Sequence, residues 1–272
     1  MMTDYMTYKG KRVVVSGCFS GMGEATAKLL LKLGAEVHGL DYKPSTLVLA
    51  SFTQTDLRDP KSIDAAAAKI GGKVDALFNC AGLAQTSPPI DVMKVNYIGA
   101  RRLTEALLPA MSPGSAIASI SSTAGLGWSR RLPAVMELIK NDSFEQAVDW
   151  CERNAAETVR EGYSFSKEVI VVWTMMFAMR TIKRGIRMNC TMPGPTQTPM
   201  MAHFESATKA SVIEAATQPI NRRSSPEEQA GPLVFLNSNA ASYINGVALA
   251  VDGGFLGGIA TGQIDPRSLM GA

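Results

Sequence analysis

Seven short apolar runs, separated by helix-like segments, constrain the fold of this chain more than any other feature. The runs cover residues 12–16, 36–40, 51–55, 76–80, 115–121, 186–191 and 247–251. Short apolar strands that alternate with helices predict a parallel sheet covered by helices on both faces. We therefore predict an α/β fold with a Rossmann-type, doubly wound sheet. A single domain over residues 1–272 is expected, with a helical insert at about 128–162 and a flexible, glycine-rich tail at about 255–272.

A glycine-rich turn connects the first predicted strand to the first predicted helix. It has the sequence Gly-Cys-Phe-Ser-Gly-Met-Gly, from Gly17 to Gly23. Glycines in such a turn let the backbone approach a pyrophosphate, and the N-terminus of the following helix supplies N–H donors. A simple strand-to-helix turn is the competing interpretation. The order strand, glycine turn, helix favours a dinucleotide site.

Asp41, at the end of the second predicted strand, bears on the choice of dinucleotide. A carboxylate there can accept hydrogen bonds from the adenosine ribose, and it repels a 2′-phosphate. The sequence therefore predicts NAD, with NADP less favoured, although the nearby Lys43 could soften that preference. A solvated or helix-facing Asp41 is the alternative.

Further polar and small residues follow the other predicted strands. They are Asp56 and Leu57 after the third, Asn79, Ala81 and Gly82 at the fourth, Ser122 after the fifth, and Pro193 and Gly194 after the sixth. Doubly wound sheets bind their ligands at the carboxyl ends of the strands. The convergence of these residues on one edge of the sheet predicts a ligand site there.

The composition argues against several other classes of protein. A hydrophobic fraction of 46% supports a sizeable core, and a charged fraction of 19% is too low for a disordered chain. The net charge of +3 argues against nucleic acid or an anionic membrane as the main partner. The longest apolar stretch, residues 169–179, is too short to span a bilayer. The four cysteines form no CxxC pair and the two histidines are far apart, so we expect no metal site and a cytoplasmic location.

Tyr163 and Lys167 are four positions apart at the start of a long apolar helix pattern. That spacing places both side chains on one face of the helix. A neighbouring ammonium favours the phenolate and lowers the pKa of a tyrosine, which suits proton transfer at an alcohol or carbonyl oxygen. Alone the pair is weak evidence, because a surface helix with an extended lysine has the same spacing. The residues at the strand ends favour the functional interpretation.

Two segments depart from the regular pattern. Asn96 and Gly99 interrupt an apolar helix predicted for residues 92–111, and asparagine is unfavourable in a helix interior, so a local distortion with a purpose is expected. The insert at 128–162 contains two helix patterns, 132–140 and 143–161, with Ser143 as a candidate N-cap. Its charges and aromatic residues suit an amphipathic lid or an oligomer surface.

Taken in chain order, these motifs resemble those of the short-chain dehydrogenase/reductase family over about residues 11–254. The matching elements are Gly17-x-x-x-Gly21-x-Gly23, Asp56-Leu57, Asn79-x-Ala81-Gly82, Asn96, Ser121-Ser122, Tyr163-x-x-x-Lys167 and Pro193-Gly194. The chain departs from the usual pattern by Ser16 in place of threonine, a short segment before Asn96, and a long segment between Ser122 and Tyr163. With that long segment the chain resembles one subgroup of the family, which holds bacterial 3α-hydroxysteroid dehydrogenase/carbonyl reductase and coniferyl-alcohol dehydrogenase.

The resemblance implies an NAD-dependent alcohol dehydrogenase or carbonyl reductase. Tyr163 would be the general acid/base and Ser122 would hydrogen-bond the substrate oxygen, while Ser121 is the less favoured candidate. Lys167 would bind the nicotinamide ribose and lower the pKa of Tyr163, and Asn96 would hold a water molecule of a proton relay. The residues expected to hold the cofactor are Gly17, Ser20, Gly21, Met22, Gly23, Asp41, Asp56, Leu57, Asn79, Ala81, Gly82, Tyr163, Lys167, Pro193, Gly194, Thr196 and Thr198.

The expected partner is a small alcohol or ketone of steroid, terpenoid or phenylpropanoid type. Met200, Met201 and Phe204 can form an apolar wall for such a substrate, although core packing or an oligomer contact explains them about as well. The resemblance also implies a homodimer or homotetramer. A nucleic acid or membrane partner is not expected.

Two other functions stay open at this point. One is a catalytically silent, dinucleotide-binding regulator, against which the complete set of candidate catalytic residues argues. The other is a nucleotide-sugar epimerase-like enzyme, against which the short chain after Pro199 argues. An enoyl reductase would need a wider spacing between Tyr163 and Lys167.

Overall fold

The computed structural model describes residues 5–158 and 162–265. In these residues seven parallel strands form one sheet in the order β3-β2-β1-β4-β5-β6-β7. The strands are β1 (Arg12–Ser16), β2 (Glu36–Asp41), β3 (Ser51–Gln54), β4 (Val74–Asn79), β5 (Met111–Ile120), β6 (Arg187–Pro193) and β7 (Ala248–Val251). The predicted doubly wound sheet is confirmed. Because the chain order reverses between β1 and β4, a crevice opens between their carboxyl ends.

Helices cover both faces of the sheet. They are α1 (Gly21–Lys32), α2 (Pro60–Ile70), α3 (Pro89–Met93), α4 (Gly99–Leu107), α5 (Leu132–Ile139), α6 (Phe144–Arg153), α7 (Ala155–Thr158), α8 (Gly162–Thr181), α9 (Met201–Ala207), α10 (Ala210–Ala215), α11 (Pro226–Asn237) and α12 (Phe255–Ala260). Within the described ranges, none of them is long and apolar enough to cross a membrane.

Two apolar layers fill the spaces between the sheet and the helices. Side chains alternate between the faces of a strand, so Val14 packs in one layer while Val13 and Val15 pack in the other. The first layer includes side chains of α2, α4, α5, α6 and α8. The second includes side chains of α1 and α11. The carboxyl ends of the strands lie between these layers, where the candidate site is expected.

The helix predicted for residues 92–111 is interrupted by a π-helical turn at Lys94–Ile98. The turn separates α3 from α4, and the N–H of Gly99 donates to the carbonyl of Lys94. Asn96 lies inside the turn, so the predicted local distortion is present. Such π-helical turns are frequent at functional sites. The end of the predicted helix was wrong, because Met111 already begins β5.

Two other boundaries differ from the sequence prediction. Ser143 caps α6 as expected, accepting a hydrogen bond from the Gln146 N–H at 3.1 Å, but α6 ends at Arg153 and α7 follows. The rest of that predicted helix lies partly outside the described residues. The glycine-rich tail begins with helix α12, in which Phe255 is buried, so its first part is ordered. The Asp252 carboxylate accepts from the Leu256 N–H at 2.8 Å and stabilises the start of that helix. The end of the tail, residues 266–272, is outside the described residues.

The described part of the insert is packed into the core. Val135 of α5 and Leu138 of the same helix are fully buried. Trp150 of α6 stacks on Phe165 of α8 with ring centroids 6.0 Å apart. Offset aromatic contacts of this kind add to the energy of apolar burial. The insert therefore shares its core with the helix that carries Tyr163.

Candidate active site

A groove of about 480 Å³ lies at the carboxyl ends of β1 and β4, where the order of the strands reverses. The loop from Gly17 to Gly23 forms one side of it and leads into the N-terminus of α1. A Cβ on Gly17 would lie 2.5 Å from the backbone nitrogen of Ala81, and a Cβ on Gly23 would overlap the carbonyl of Gly17. Only glycine fits at these two positions. The loop therefore presents backbone to the groove, as a phosphate-binding turn requires.

Most of the predicted cofactor residues line this groove. They are Gly17, Ser20, Gly21, Met22, Gly23, Asp41, Asp56, Leu57, Ala81, Gly82 and Thr198. Sequence reasoning missed several further lining residues, among them Phe19, Tyr42, Thr55, Arg58, Leu83 and Val95. Each of these is adjacent in the chain to a predicted residue, or lies within the glycine loop, so the pattern of strand ends contained the signal.

Asp41 lies in the groove and is held in place by two backbone N–H groups. Its Oδ2 accepts from the Phe19 N–H at 2.9 Å, and its Oδ1 accepts from the Lys43 N–H at 3.0 Å. The Lys43 ammonium lies 5.4 Å from the centroid of the Phe19 ring. The glycine loop and the end of β2 thus hold the carboxylate jointly at the position that the sequence predicts for a ribose contact.

Arg58 is a second cation of the groove, and its charge is engaged. Its Nη2 lies 2.7 Å from Asp56 Oδ2, and its Nη1 lies 3.5 Å from Asp91 Oδ2. Hydrogen bonds from Arg58 hold the pKa of Asp56 below its ordinary value. Asp56 therefore lines the groove as predicted, but as the partner of a guanidinium.

Tyr163, Lys167 and Ser122 come together beside the groove. Lys167 is only 5% exposed; its Nζ donates to the carbonyl of Ile120 at 3.1 Å and lies 5.5 Å from the centroid of the Tyr163 ring. The side chain of Ser122 is hydrogen-bonded to Tyr163, and its hydroxyl also accepts from the Ala124 N–H at 3.1 Å. The end of β5 and the first turns of α8 bring these residues together.

Burial changes the proton affinity of both titratable groups. It raises the pKa of Tyr163 to about 12, although the hydrogen bond from Ser122 acts in the opposite direction. It lowers the pKa of Lys167 to about 8. Both shifts favour the neutral form, as desolvation does. The expectation that Lys167 lowers the pKa of Tyr163 is not met in this structure, where burial raises that pKa and the hydrogen bond from Ser122 is the opposing cause.

Asn96 joins the loop after β4 to the first turn of α8. Its Oδ1 accepts from the Leu83 N–H at 2.7 Å, and its Nδ2 donates to the Leu83 carbonyl at 3.2 Å and to Ser166 Oγ at 3.0 Å. Ser166 in turn donates to the Tyr163 carbonyl at 2.7 Å. Sequence reasoning missed Ser166, which no motif distinguishes from other helix serines. The relay water assigned to Asn96 stays a prediction.

Four predicted cofactor residues lie away from the groove. The Asn79 amide is buried and donates to Thr104 Oγ1 at 3.0 Å, because this strand position points toward α4. Thr196 is buried and donates to the Gly194 carbonyl at 2.9 Å. Pro193 is buried at the end of β6, and Gly194 faces a separate cavity of about 620 Å³. Of the two candidate threonines, only Thr198 lines the groove.

The segment after β6 covers Tyr163 from the other side. The Phe204 ring meets the Tyr163 ring edge to face, with centroids 5.0 Å apart and an interplanar angle of 73°. The Thr86 hydroxyl and His203 Nδ1 are hydrogen-bonded at 2.9 Å, which connects α9 to the loop after β4. Met200 lines the groove at the same end. An apolar wall thus lies next to the phenol.

Comparison with known proteins agrees with this geometry. The model of the short chain dehydrogenase family matches residues 11–134, and that of enoyl-(acyl carrier protein) reductase matches residues 147–256. The coniferyl-alcohol dehydrogenase of Pseudomonas sp. strain HR199 is 35% identical over 250 residues, which cover 92% of this chain and 98% of that protein. The chain therefore belongs to the short-chain dehydrogenase/reductase family.

Other relatives fall in the subgroup that the long insert indicates. The 3α-hydroxysteroid dehydrogenase/carbonyl reductase of Comamonas testosteroni is 31% identical over 248 residues, covering 89% of this chain and 95% of that protein. Among solved structures, the 3α-hydroxysteroid dehydrogenase of Pseudomonas sp. B-0831, complexed with NADH, has a TM-score of 0.79 and 27% identity. It covers 93% of this chain and 99% of that structure. The predicted subgroup resemblance is confirmed.

Proposed function

We propose that the protein is an NAD(H)-dependent oxidoreductase that interconverts a secondary or aromatic alcohol and its carbonyl compound. The observation that carries the proposal is the meeting of Tyr163, Ser122 and Lys167 beside the groove, where a Cβ on the lining residue Gly82 would lie 3.9 Å from Lys167 Nζ. A phenol and a hydroxyl directed at one oxygen atom can exchange a proton with it and stabilise charge on it. The relatives named as coniferyl-alcohol and 3α-hydroxysteroid dehydrogenases support an alcohol as the substrate.

The groove fits a dinucleotide. The close approach at Gly17 and Gly23 and the N-terminus of α1 provide the backbone cradle that a pyrophosphate needs. When bound, the nicotinamide would supply the hydride donor or acceptor, which protein side chains do not provide. The Asp41 carboxylate supports NAD over NADP, and the engagement of Arg58 by two carboxylates leaves that cation less suited to a 2′-phosphate.

Tyr163 is the acid/base of the proposed reaction. With a pKa of about 12 it is a neutral phenol at pH 7, the form that donates a proton to a carbonyl oxygen. In this proposal Ser122 donates a hydrogen bond to the same oxygen as negative charge develops on it. In the direction of alcohol oxidation Tyr163 accepts the proton, and an ammonium on Lys167 stabilises the phenolate that this step needs.

The substrate of the proposed reaction is an apolar ring compound of steroid, terpenoid or phenylpropanoid type. Phe204 and Met200 form an apolar surface beside the phenol. A thioether and an aromatic edge adapt to flat or irregular rings. The substrates in the names of the two relatives, a coniferyl alcohol and a hydroxysteroid, have this character.

A screen for NAD reduction over steroids, aryl alcohols and terpenols tests the proposal. For every accepted alcohol we expect Tyr163→Phe to lower kcat by roughly 10²–10⁴-fold. NADH should still bind, as followed by its fluorescence. Tyr243→Phe is the matched control, because the Tyr243 side chain is fully exposed. If turnover survives in Tyr163→Phe, the acid/base assignment is wrong; if wild-type protein binds NADH without turnover, the silent regulator is favoured.

The preference for NAD is tested separately. We expect kcat/KM with NAD to exceed that with NADP, and Asp41→Ala to reduce the ratio by roughly tenfold, because a carboxylate repels the 2′-phosphate. Steady-state kinetics with both dinucleotides measures the ratio. A wild-type preference for NADP would contradict this part of the proposal.

We also propose that the protein works as a homodimer or homotetramer in the cytoplasm. Membership of the short-chain dehydrogenase/reductase family supports this assembly. Light scattering on the purified full chain gives the molar mass in solution. A mass of 29.0 kDa, that of one chain, would contradict the assembly.

A further inference from the structure

Residues 121–131, here called the strap, leave β5 and pass along helix α8. At the near end Ser121 is buried and its hydroxyl donates to the Lys167 carbonyl at 2.7 Å. A Cβ on Gly125 would lie 2.9 Å from the same carbonyl oxygen, so the strap backbone packs directly against the helix. Ser122 is the next residue of the strap. This end therefore fixes the Ser122 backbone relative to Lys167.

The far end of the strap is attached through an ion pair. Arg131 Nε donates to Glu168 Oε2 at 2.7 Å, and the guanidinium lies over the Phe165 ring at 5.3 Å from its centroid. Glu168 is 2% exposed. On the opposite side of the carboxylate, a Cβ on Gly127 would lie 2.5 Å from Glu168 Oε1. The strap thus encloses the carboxylate from two sides.

Burying the Glu168 carboxylate costs more free energy than an apolar contact between the same two segments would. A carboxylate loses favourable hydration when it is buried, and hydrogen bonds to a cation offset that loss only with good geometry. A charge-assisted hydrogen bond of 2.7 Å has such geometry. Apolar side chains would hold two segments together at lower cost. What the ion pair adds is a directional contact between two fixed groups.

The insert begins where the strap ends. Leu132, the residue after Arg131, is the first residue of α5, and Val135 one turn later is fully buried. The contact of Arg131 with Glu168 of α8 therefore holds the chain directly before α5. Glu168 directly follows Lys167 in α8, so the contact is one residue away from the catalytic set. The dinucleotide groove is lined by residues outside the strap and outside α5.

We propose that Arg131 and Glu168 are a pair of positioning residues that fix the strap and the insert against α8 and so set how the alcohol is held beside Tyr163. The pair lies outside the residues that line the groove, so we expect it to leave dinucleotide affinity unchanged. This proposal rests on the proposed alcohol dehydrogenase activity. If the proposal is right, removing the pair lowers kcat/KM for the alcohol and leaves the Kd for NADH unchanged.

Steady-state kinetics and NADH titration of four variants test this signature. We expect Arg131→Gln and Glu168→Gln each to lower kcat/KM for the alcohol by roughly tenfold or more, because displacements of about 1 Å at reacting groups cost up to about 10²-fold. The Kd for NADH should not change. Arg131→Lys keeps the cation and should recover part of the loss. The loss in the double variant Arg131→Gln/Glu168→Gln should be smaller than the sum of the two single losses, because the two residues share a contact.

Arg102 and Asp64 provide the matched control. They form an ion pair of 2.6 Å between α4 and α2, with both side chains exposed. Arg102→Gln and Asp64→Asn should leave alcohol kinetics and NADH affinity unchanged. A loss in these variants equal to that in Arg131→Gln would show a general effect of removing surface charge, and would overturn the proposal.

Hydrogen exchange separates this proposal from the proposed function. We expect residues 132–139 to lose protection in Arg131→Gln and Glu168→Gln, while residues 21–32 keep it. This arm needs no substrate, so it is decisive even if the wild-type protein oxidises no alcohol and the proposed function fails. Unchanged protection of residues 132–139, unchanged alcohol kinetics, or a parallel loss of NADH affinity would each overturn the proposal. If Glu168→Gln does not fold, Arg131→Gln and Arg131→Lys carry the test.

Discussion

Two regions pack on α8, the helix that carries Tyr163, and they differ in how much of each is buried. The insert is attached through buried groups. Trp150 stacks on Phe165, and Arg101 of α4 donates to the carbonyls of Ile139 at 3.0 Å and Asn141 at 2.7 Å. The ion pair at the start of α5 adds a third buried attachment. Each of these contacts joins the insert to α4 or to α8.

The segment of α9 and α10 has one buried residue in each helix, Met201 and Ile213, and its other described contacts include exposed polar pairs. Gln85 Nε2 donates to Thr208 Oγ1 at 2.9 Å, and Arg223 Nη1 lies 2.6 Å from Glu205 Oε1. Exposed pairs of this kind contribute about 0–1 kcal/mol each. Regions held in this way open locally at low cost. The Phe204 ring is the main apolar contact of this segment with α8.

We call the described part of the insert the wall and α9 the cover. Because the cover has fewer buried side chains, we expect it to open more readily than the wall. The sequence suggested the insert as a lid or an oligomer surface. Its buried attachments argue against a lid, while an oligomer surface stays a prediction.

The largest expected effect contrasts the stability of the two regions. Trp150→Ala removes a buried ring from the wall and should lower the free energy of unfolding by about 3–5 kcal/mol. Phe204→Ala, in the cover, should lower it by less than about 1 kcal/mol, because the cover contributes little to the core. Urea unfolding of both variants measures the difference. Equal losses would remove the distinction between wall and cover.

The second effect concerns α8, on which the wall packs. Burial lowers the pKa of Lys167 from 10.5 to about 8, so below pH 8 the folded chain carries a charge that is unfavourable to bury. Between these values the unfolded chain binds more protons, and stability therefore rises with pH in this window. Lys167→Met should exceed wild type in stability at pH 7 by on the order of 2 kcal/mol, with the gap shrinking from pH 8 to 10.

Urea unfolding of wild type and Lys167→Met at several pH values measures this gap. Burial raises the pKa of each cysteine thiol, and the contributions of Cys18 and Cys151 cancel in the difference. Cys80 and Cys190 interact electrostatically with Lys167, so both are replaced by alanine in the two proteins compared. A gap that stays constant over this range of pH would contradict the depressed pKa of Lys167.

A smaller expected effect is the change in KM for the alcohol when Phe204 of the cover is replaced. Phe204→Ala should raise KM for an aromatic alcohol by roughly tenfold, since an edge-to-face aromatic contact is worth about 0.5–1.5 kcal/mol beyond its buried area. The KM for NAD should stay the same. Phe204→Tyr retains the ring and is the control. If both variants bind the alcohol equally well, the ring of Phe204 does not contact it.

The smallest expected effect concerns the attachment of the cover. Thr86→Val removes the hydrogen bond to His203 while keeping a similar shape. Loss of one exposed neutral hydrogen bond costs about 0.5–1.5 kcal/mol at most. Hydrogen exchange should become faster in residues 201–207 and stay the same in residues 144–153. Faster exchange in both segments would mean that wall and cover open together.

The sequence predicts this fold well because its signals are local. Each strand is a short apolar run, and the groove residues follow directly after the strands. The same rule misplaces Asn79 and Thr196, whose side chains point into the protein rather than toward the ligand edge. A motif fixes the position of a residue along a strand, whereas the face it points to depends on the pleat and on neighbouring elements.

The attachment of the insert could not be predicted, because its contacts join residues far apart in the chain. Arg131 and Glu168 are separated by 37 positions and pair only after the strap has crossed α8. The pKa of Tyr163 was misjudged for a related reason. The spacing to Lys167 is visible in the sequence, while the burial that raises the pKa of Tyr163 is a property of the folded core.

The bonds of Asp41 also bear on how this enzyme could be redesigned or could diverge. One carboxylate oxygen faces the cofactor groove while also accepting the Phe19 N–H of the glycine loop. Replacing Asp41 to admit a phosphorylated ribose would therefore loosen the loop that we propose as the pyrophosphate site. A route to a new coenzyme has to pass through paired substitutions, one for charge and one that restores an acceptor for Phe19. Single-site libraries at Asp41 are poorly suited to find it.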